Sequence, residues 1–192
     1  MEKLAGVYFD PSDAENKPTL LGTFPAHVID FEEGNPVNGA TPYNVTFRFA
    51  PEAADLVGFN WQNKTEEAPN GVEESAVHMV GRKIRSVGIW LNKNPKPGEG
   101  WKNRDYVNLL ESCQIELPLV KVDGKELKQI VTMEEYEVLG KPILVTVKLE
   151  QDKREQFKDR FYPKGFSFQP WVDGETIDVG EDEVDPFATL SS

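Results

Sequence analysis

The feature that most constrains the fold of this chain is a two-residue alternation of apolar and polar side chains. It is clearest at 43–49, where Tyr43, Val45, Phe47 and Phe49 alternate with Asn44, Thr46 and Arg48. This period is typical of a β-strand that buries one face. Further strand candidates, bounded by Gly- or Pro-containing turns, lie at 20–31, 78–91, 143–149 and around Phe166.

Two short helices are predicted between the strand candidates. Helical spacing of apolar side chains predicts a helix over 101–113, on Tyr106, Leu109, Leu110 and Cys113. Thr132 and Glu135 match a capping box, which predicts a second helix that runs to Leu139 and stops at Gly140. Strands outweigh helices, so we expect a mainly β fold with one or two short helices. An OB-like five-stranded Greek-key barrel is the leading candidate.

The length of the chain indicates one domain with extensions. We expect a loosely ordered N-terminal extension at 1–19, a folded domain at 20–172 and a disordered acidic C-terminal tail at 173–192. The single cysteine, Cys113, has no partner for an intrachain disulfide. The sequence shows neither a signal peptide nor an apolar run of the roughly 20 residues that span a bilayer. We therefore expect a cytoplasmic protein with no membrane partner.

Acidic and basic residues are segregated along the chain. The formal net charge is −12, from 33 Asp and Glu against 21 Lys and Arg. The stretch 173–192 holds seven of the acids and no Lys or Arg, so the rest carries 26 acids and 21 bases. Within that rest, 79–104 has seven Lys or Arg and a single acid, Glu99. The chain therefore contains a basic segment at 79–104 although its net charge is negative.

Aromatic residues are interleaved with the basic ones. Proteins that bind single-stranded nucleic acid combine a basic groove for the backbone with aromatic platforms for the bases. The predicted phosphate contacts are Arg82, Lys83, Arg85, Lys93, Lys96, Lys102 and Arg104. The predicted stacking residues are some of Trp61, Trp90, Trp101 and Tyr162.

Several of these aromatic residues have a structural alternative. Trp90 ends an apolar strand and is equally suited to the core, and the helical spacing favours the core for Tyr106. Phe59 and Trp61 lie in a long connection, where they either fold back onto the core or flank a ligand or partner subunit. Trp101 follows a Gly- and Pro-rich loop, which makes it the better platform candidate.

Catalytic patterns are sparse in this sequence. His27 and His78 lie in different strand candidates without a neighbouring Cys or His, so a zinc site is unsupported. Asp123 and Glu126, followed by Lys128, weakly match the metal-binding carboxylates of nucleases. Their spacing fits a solvated hairpin turn better. We therefore expect no enzymatic activity, cofactor or metal.

A series of short motifs runs along about 20–171, in the order Gly22-Thr23-Phe24-Pro25-Ala26, then 43–47, 80–84, the 103–113 helix, and Leu139-Gly140-Lys141-Pro142 before an apolar strand. In this series the chain resembles a family of small phage and prophage proteins, long of unknown function, that are similar to phage single-stranded DNA-binding proteins. The resemblance implies an OB-like nucleic-acid-binding domain, encoded beside replication and recombination genes.

The end of the chain resembles the acidic, aromatic-tipped tails of bacterial and phage single-stranded DNA-binding proteins. The matching tip residues include Asp182, Glu183, Asp185 and Phe187, although Ala188 to Ser192 follow the Phe. The resemblance implies that the tail docks a phage polymerase, primase or helicase.

The leading hypothesis is a sequence-independent single-stranded DNA-binding protein of a phage replication and recombination system. The alternatives are an acidic phage protein that binds and inhibits a host protein and, third, a metal-dependent nuclease. The oligomeric state stays open, with a homodimer as one option. We also expect the acidic tail to compete with DNA for the basic segment of its own chain.

Overall fold

The computed structural model describes residues 17–96 and 98–179, which form a mainly β structure as predicted. The strands are β1 (Gly22–Glu33), β2 (Ala40–Phe49), β3 (Val57–Asn60), β4 (Val72–Ser75), β5 (Lys83–Arg85), β6 (Ile89–Asn92), β7 (Leu119–Val122), β8 (Lys125–Lys128), β9 (Pro142–Gln151) and β10 (Phe161–Pro170). The helices are α1 (Arg104–Ser112), which follows a 3-10 turn at Gly100–Asn103, and α2 (Glu135–Val138). None of the helices within these ranges is long and apolar enough to cross a lipid bilayer.

Six strands form the main sheet, in the order β10-β9-β1-β2-β5, with β6 also pairing with β2. Every ladder in this sheet is antiparallel. A parallel bridge joins Ser86, directly after β5, to Gly165 in β10, and the Val87 N–H donates to the Gly165 carbonyl at 2.9 Å. The two outer strands therefore approach each other, although no continuous ladder between described residues closes the sheet.

The core lies on the inner face of this sheet. In β2 the four alternating apolar side chains are at most 1% exposed, as the sequence pattern predicts. Phe24 of β1, Val145 of β9 and Phe168 of β10 are buried in the same cluster. The predicted helix over 101–113 forms as a 3-10 turn followed by α1, and it adds Leu109 and Leu110 to this core.

The segment predicted as one strand at 78–91 is divided in the structure. A 3-10 turn occupies Ala76–Met79, and the chain turns at Gly81, whose φ of 75° favours glycine, before β5 begins. The long connection at 51–77 also forms a hairpin, β3–β4, which joins β1 through the Leu21–Phe59 bridge. Strands of three or four residues contain too few alternations to be recognised by pattern, so the ten strands within 17–96 and 98–179 exceed the five candidates found from periodicity.

The second helix begins later than its capping box predicted. Glu134, and not Thr132, precedes the first turn, and its N–H donates to Glu137 Oε2 at 2.7 Å. The helix ends at Val138, because Gly140 adopts a φ of 73° and turns the chain into β9.

The first residues of the predicted tail lie against the main sheet. The Ile177 N–H donates to the Gly140 carbonyl at 3.0 Å, and His27 Nε2 is 3.0 Å from the Glu175 carbonyl oxygen. A Cβ at Gly140 would collide with the Ile177 carbonyl, so this close approach requires glycine. Residues 171–179, which we call the strap, therefore contact the domain beyond the predicted boundary at 173.

The Tyr106 hydroxyl links α1 to the segment before α2. It donates to the Val131 carbonyl at 3.1 Å and accepts from the Met133 N–H at 3.1 Å. Its ring packs on Tyr43 with the centroids 5.1 Å apart. Burial raises the pKa of both phenols, so both stay protonated at neutral pH. Tyr106 is therefore the core residue that the helical spacing favoured.

Replacing Tyr106 with Phe should lower the free energy of unfolding by about 1–3 kcal/mol, because the Met133 N–H loses its acceptor. Tyr136→Phe is the matched control, since Tyr136 is 78% exposed. Urea denaturation followed by tryptophan fluorescence measures both variants. Equal stability of the two variants would contradict this role of the Tyr106 hydroxyl.

Candidate nucleic-acid interface

Three cations on neighbouring strands share the outer face of the main sheet. Lys83 and Arg85 are exposed on either side of the buried Ile84, so both point away from the core. Lys83 lies directly across the ladder from Arg48 in β2, and Arg85 lies across from Thr46. None of these cations forms an ion pair with a carboxylate of the described residues. We call Arg48, Lys83 and Arg85 the cationic face.

An aromatic side chain lies on the same side of the sheet. Trp90 in β6 stands across from Pro42 in β2 and is 41% exposed. Pro42 and Arg48 are an even number of residues apart on one strand, so Trp90 and the cationic face share a surface. A Cβ at Gly88 would stand 2.8 Å from the Trp90 indole nitrogen, so the glycine lets the ring lie close to the backbone. Trp90 is therefore exposed, rather than part of the core.

Three other predicted phosphate contacts have carboxylate partners in the structure. The pairs are Lys93 Nζ with Glu33 Oε1 at 3.3 Å, Lys102 Nζ with Glu99 Oε2 at 2.9 Å, and Arg104 Nε with Asp105 Oδ1 at 3.7 Å. Exposed pairs of this kind stabilise a fold by about 0–1 kcal/mol. They do reduce the positive charge offered to a phosphate, so these residues are weaker candidates than the cationic face.

The remaining predicted contacts lie in loops near β5 and β6. Arg82 Nη1 donates to the Lys17 carbonyl at 2.5 Å, so its guanidinium holds the chain that enters β1. Lys96 is exposed in the loop after β6. Trp101 is 71% exposed in the 3-10 turn before α1, as expected of a platform.

The turn that carries Trp101 is fixed beside β6 by a pair of asparagines. Asn103 Oδ1 accepts from the Asn92 N–H at 2.7 Å, and Asn103 Nδ2 donates to the Asn92 carbonyl at 3.0 Å. Asn103 is 1% exposed, so its amide is a structural link. Trp101 therefore occupies a defined position next to the strand that carries Trp90.

Two predicted stacking residues lie on other elements. Trp61 is half-buried in the turn after β3, and its buried indole nitrogen has no hydrogen-bond partner among the described residues. Tyr162 is 40% exposed on β10, across the ladder from Glu150. Trp61 thus lies on a different hairpin from Trp90, whereas Tyr162 lies on β10, the strand that the Ser86–Gly165 bridge joins to the end of β5.

The strap brings the start of the acidic tail to the edge of the cationic face. His27, which contacts the Glu175 carbonyl, stands directly across from Arg48 in the β1–β2 ladder. Burial lowers the pKa of His27, so the neutral ring donates through Nε2 to that carbonyl. The ring of Trp171 packs at a tilt against the His27 ring, with the centroids 5.4 Å apart. The predicted docking residues Asp182, Glu183, Asp185 and Phe187 lie outside the described residues.

The weak nuclease pattern maps to a hairpin turn. Asp123 and Gly124 have φ values of 50° and 77° and connect β7 to β8. Glu126 lies across from Lys121 in that ladder. Over 17–96 and 98–179, no three His, Cys, Asp or Glu side chains gather as metal ligands would.

Sequence reasoning missed Arg48 as a member of the site. The alternation in β2 placed Arg48 on the polar face of its strand, and that was the available signal. Its proximity to Lys83 depends on the β2–β5 register, which no local pattern reveals.

No protein-family model matches this chain, and a search of curated proteins found no match either.

Proposed function

We propose that this chain is a sequence-independent single-stranded DNA-binding protein. The observation that carries the proposal is the cationic face on the same side of the sheet as the exposed Trp90, in a chain of net charge −12. Carboxylates are abundant, yet these three cations have no carboxylate partner among the described residues. Cations kept apart from acids suit a polyanionic ligand, and an exposed indole on the same surface suits an unstacked base.

We further propose that the main sheet is an OB-like barrel. The strand pairing supports this proposal. β1 pairs with β2, and β2 pairs with β5; the bridge after β5 leads to β10, which pairs with β9, and β9 pairs with β1. The position of α1 in the chain between β6 and β9 agrees with it. OB folds bind oligonucleotides on the face of their second and third strands. In this chain those strands are β2 and β5, which carry the cationic face.

The biological setting follows from the resemblance to phage proteins. We propose a role in phage DNA replication and recombination, in the cytoplasm of the host cell. The acidic tail would recruit a phage polymerase, primase or helicase through residues around Phe187. Its seven acids in 173–192 and its aromatic residue support this assignment.

The alternative is an acidic protein that binds a host protein, which the net charge of −12 favours. Such a protein has no need of unpaired cations beside an exposed indole. Titration with oligo-dT separates the two functions, because only the DNA-binding protein should quench its tryptophan fluorescence and shift in mobility at micromolar concentration.

The variant Lys83→Gln with Arg85→Gln should bind oligo-dT about 10- to 100-fold more weakly at low salt, because two charged contacts to phosphate are lost. The dependence of log affinity on log salt should become less steep by about 1.4, since each single-strand phosphate contact contributes about 0.7. Fluorescence titration at several salt concentrations measures both quantities.

The matched control is Lys93→Gln with Lys102→Gln, which removes the same charge from residues that are already ion-paired. Its affinity should fall much less than that of the Lys83 and Arg85 variant. Equal losses in the two variants would argue for a general charge effect and against the cationic face.

Removing 180–192, which leaves the strap in place, should tighten oligo-dT binding at low salt. The tail starts near Arg48 and carries four acids in this stretch, so its loss frees the cationic face from a competing anion. The gain should shrink as salt rises, because screening weakens the competition. A full-length variant with those four acids changed to amides is the control, and unchanged affinity in both would restrict the tail to partner binding.

A further inference from the structure

Two lysines face each other on the outer side of β9 and β10. Lys148 and Lys164 are direct partners in the antiparallel ladder, and like charges in this position destabilise a sheet. Neither lysine has a carboxylate partner within 17–96 and 98–179. The next outward residue of β9, Glu150, is engaged by Lys153 at 3.4 Å. Within the described part of the chain, no ion pair therefore neutralises either lysine.

These lysines continue the cationic face across the sheet. The parallel bridge joins Ser86 to Gly165, so the residues one position earlier, Arg85 and Lys164, are neighbours on the side away from the core. Lys148 follows on the next strand. Three adjacent strands, β5, β10 and β9, thus carry Arg85, Lys164 and Lys148 in a row. At the usual spacing between strands this row is about 10 Å long.

A β-bulge turns an aromatic side chain outward beside Lys164. The β9–β10 register shifts between Gly165 and Ser167, which leaves Phe166 as the extra residue of β10. Phe166 is 36% exposed, whereas Phe168, two residues further along β10, is 5% exposed. Bulges often re-aim a side chain next to a binding site. The bulge therefore leaves an exposed apolar ring two residues from Lys164 on β10.

We propose that Lys148, Lys164 and Phe166 form a second contact site for the same single strand of nucleic acid. The two lysines hold one phosphate between them, and Phe166 stacks on a neighbouring base. A phosphate in this position offsets the repulsion between the lysines. A duplex keeps its bases paired and stacked, so the site selects single strands. This inference rests on the proposed function of the cationic face and extends the path of the strand beyond it.

The test compares oligo-dT binding by the full-length protein, the variant Lys148→Gln with Lys164→Gln, and Phe166→Ala. For the double variant we expect the slope of log affinity against log salt concentration to be less steep by about 0.7, because the two lysines that it lacks share one phosphate in the wild type. We expect Phe166→Ala to bind about 5- to 100-fold more weakly with an unchanged salt dependence, as loss of one base stack predicts. Lys153→Gln is the control on the same hairpin, since that side chain is 88% exposed and paired with Glu150.

A second test measures the thermal midpoint together with oligo-dT binding, and we expect the two to change in opposite directions. Lys164→Glu places a carboxylate across from Lys148, so it should raise the thermal midpoint of the free protein while it weakens oligo-dT binding. Lys148→Glu is the reciprocal variant and should behave alike. If these lysines had a purely structural role, both substitutions would lower the thermal midpoint.

The second site is overturned if the wild-type protein binds oligo-dT while the lysine double variant and Phe166→Ala bind as tightly as Lys153→Gln. In that outcome the proposed function stands, and the strand contacts the cationic face alone. Absence of binding by the wild-type protein at micromolar concentration and low salt overturns the proposed function and the second site together.

Discussion

Burial of one face of each strand is the constraint on which the rest of this structure depends. Phe47 in β2 packs on Phe168 in β10, with ring centroids 5.3 Å apart, and both side chains fill the core. Because side chains alternate along a strand, this packing directs Thr46 and Arg48 outward. A slip of one residue in β2 would bury Arg48 and expose Phe47, so the core determines which residues can meet a ligand.

The distribution of carboxylates then divides the outward cations into two groups. Lys102 pairs with an acid three residues away in the chain, and Lys93 pairs with Glu33 at the end of β1. On the cationic face, by contrast, the cross-strand neighbour of Arg85 is Thr46, and Asp30 is one strand further away. An acidic protein can therefore keep a positive surface, because ion pairing is decided over a few ångströms and not by net charge.

The strap connects this surface to the acidic end of the chain. Gly140 lets the strap backbone approach the turn before β9, and neutral His27 holds the Glu175 carbonyl next to Arg48. The position from which the acids start is therefore built into the fold. An anionic segment tethered beside a cationic face has a high effective concentration there, which gives the proposed competition with DNA a physical basis.

Local sequence patterns predict the mainly β class, the strand β2, the helix α1 and a basic, aromatic segment at 79–104. These follow from periodicity and charge, which are local properties of the chain. The three-dimensional packing is what places Lys83 and Arg85 beside Arg48 and pairs Lys93 and Lys102 with acids. It also exposes Trp90 and leaves Trp61 on another hairpin. The break at Gly81 and the contact of the strap with Gly140 are likewise set by the packing. Each of these depends on strand register and on hydrogen bonds between residues far apart in the chain, and no local pattern encodes which strands pair.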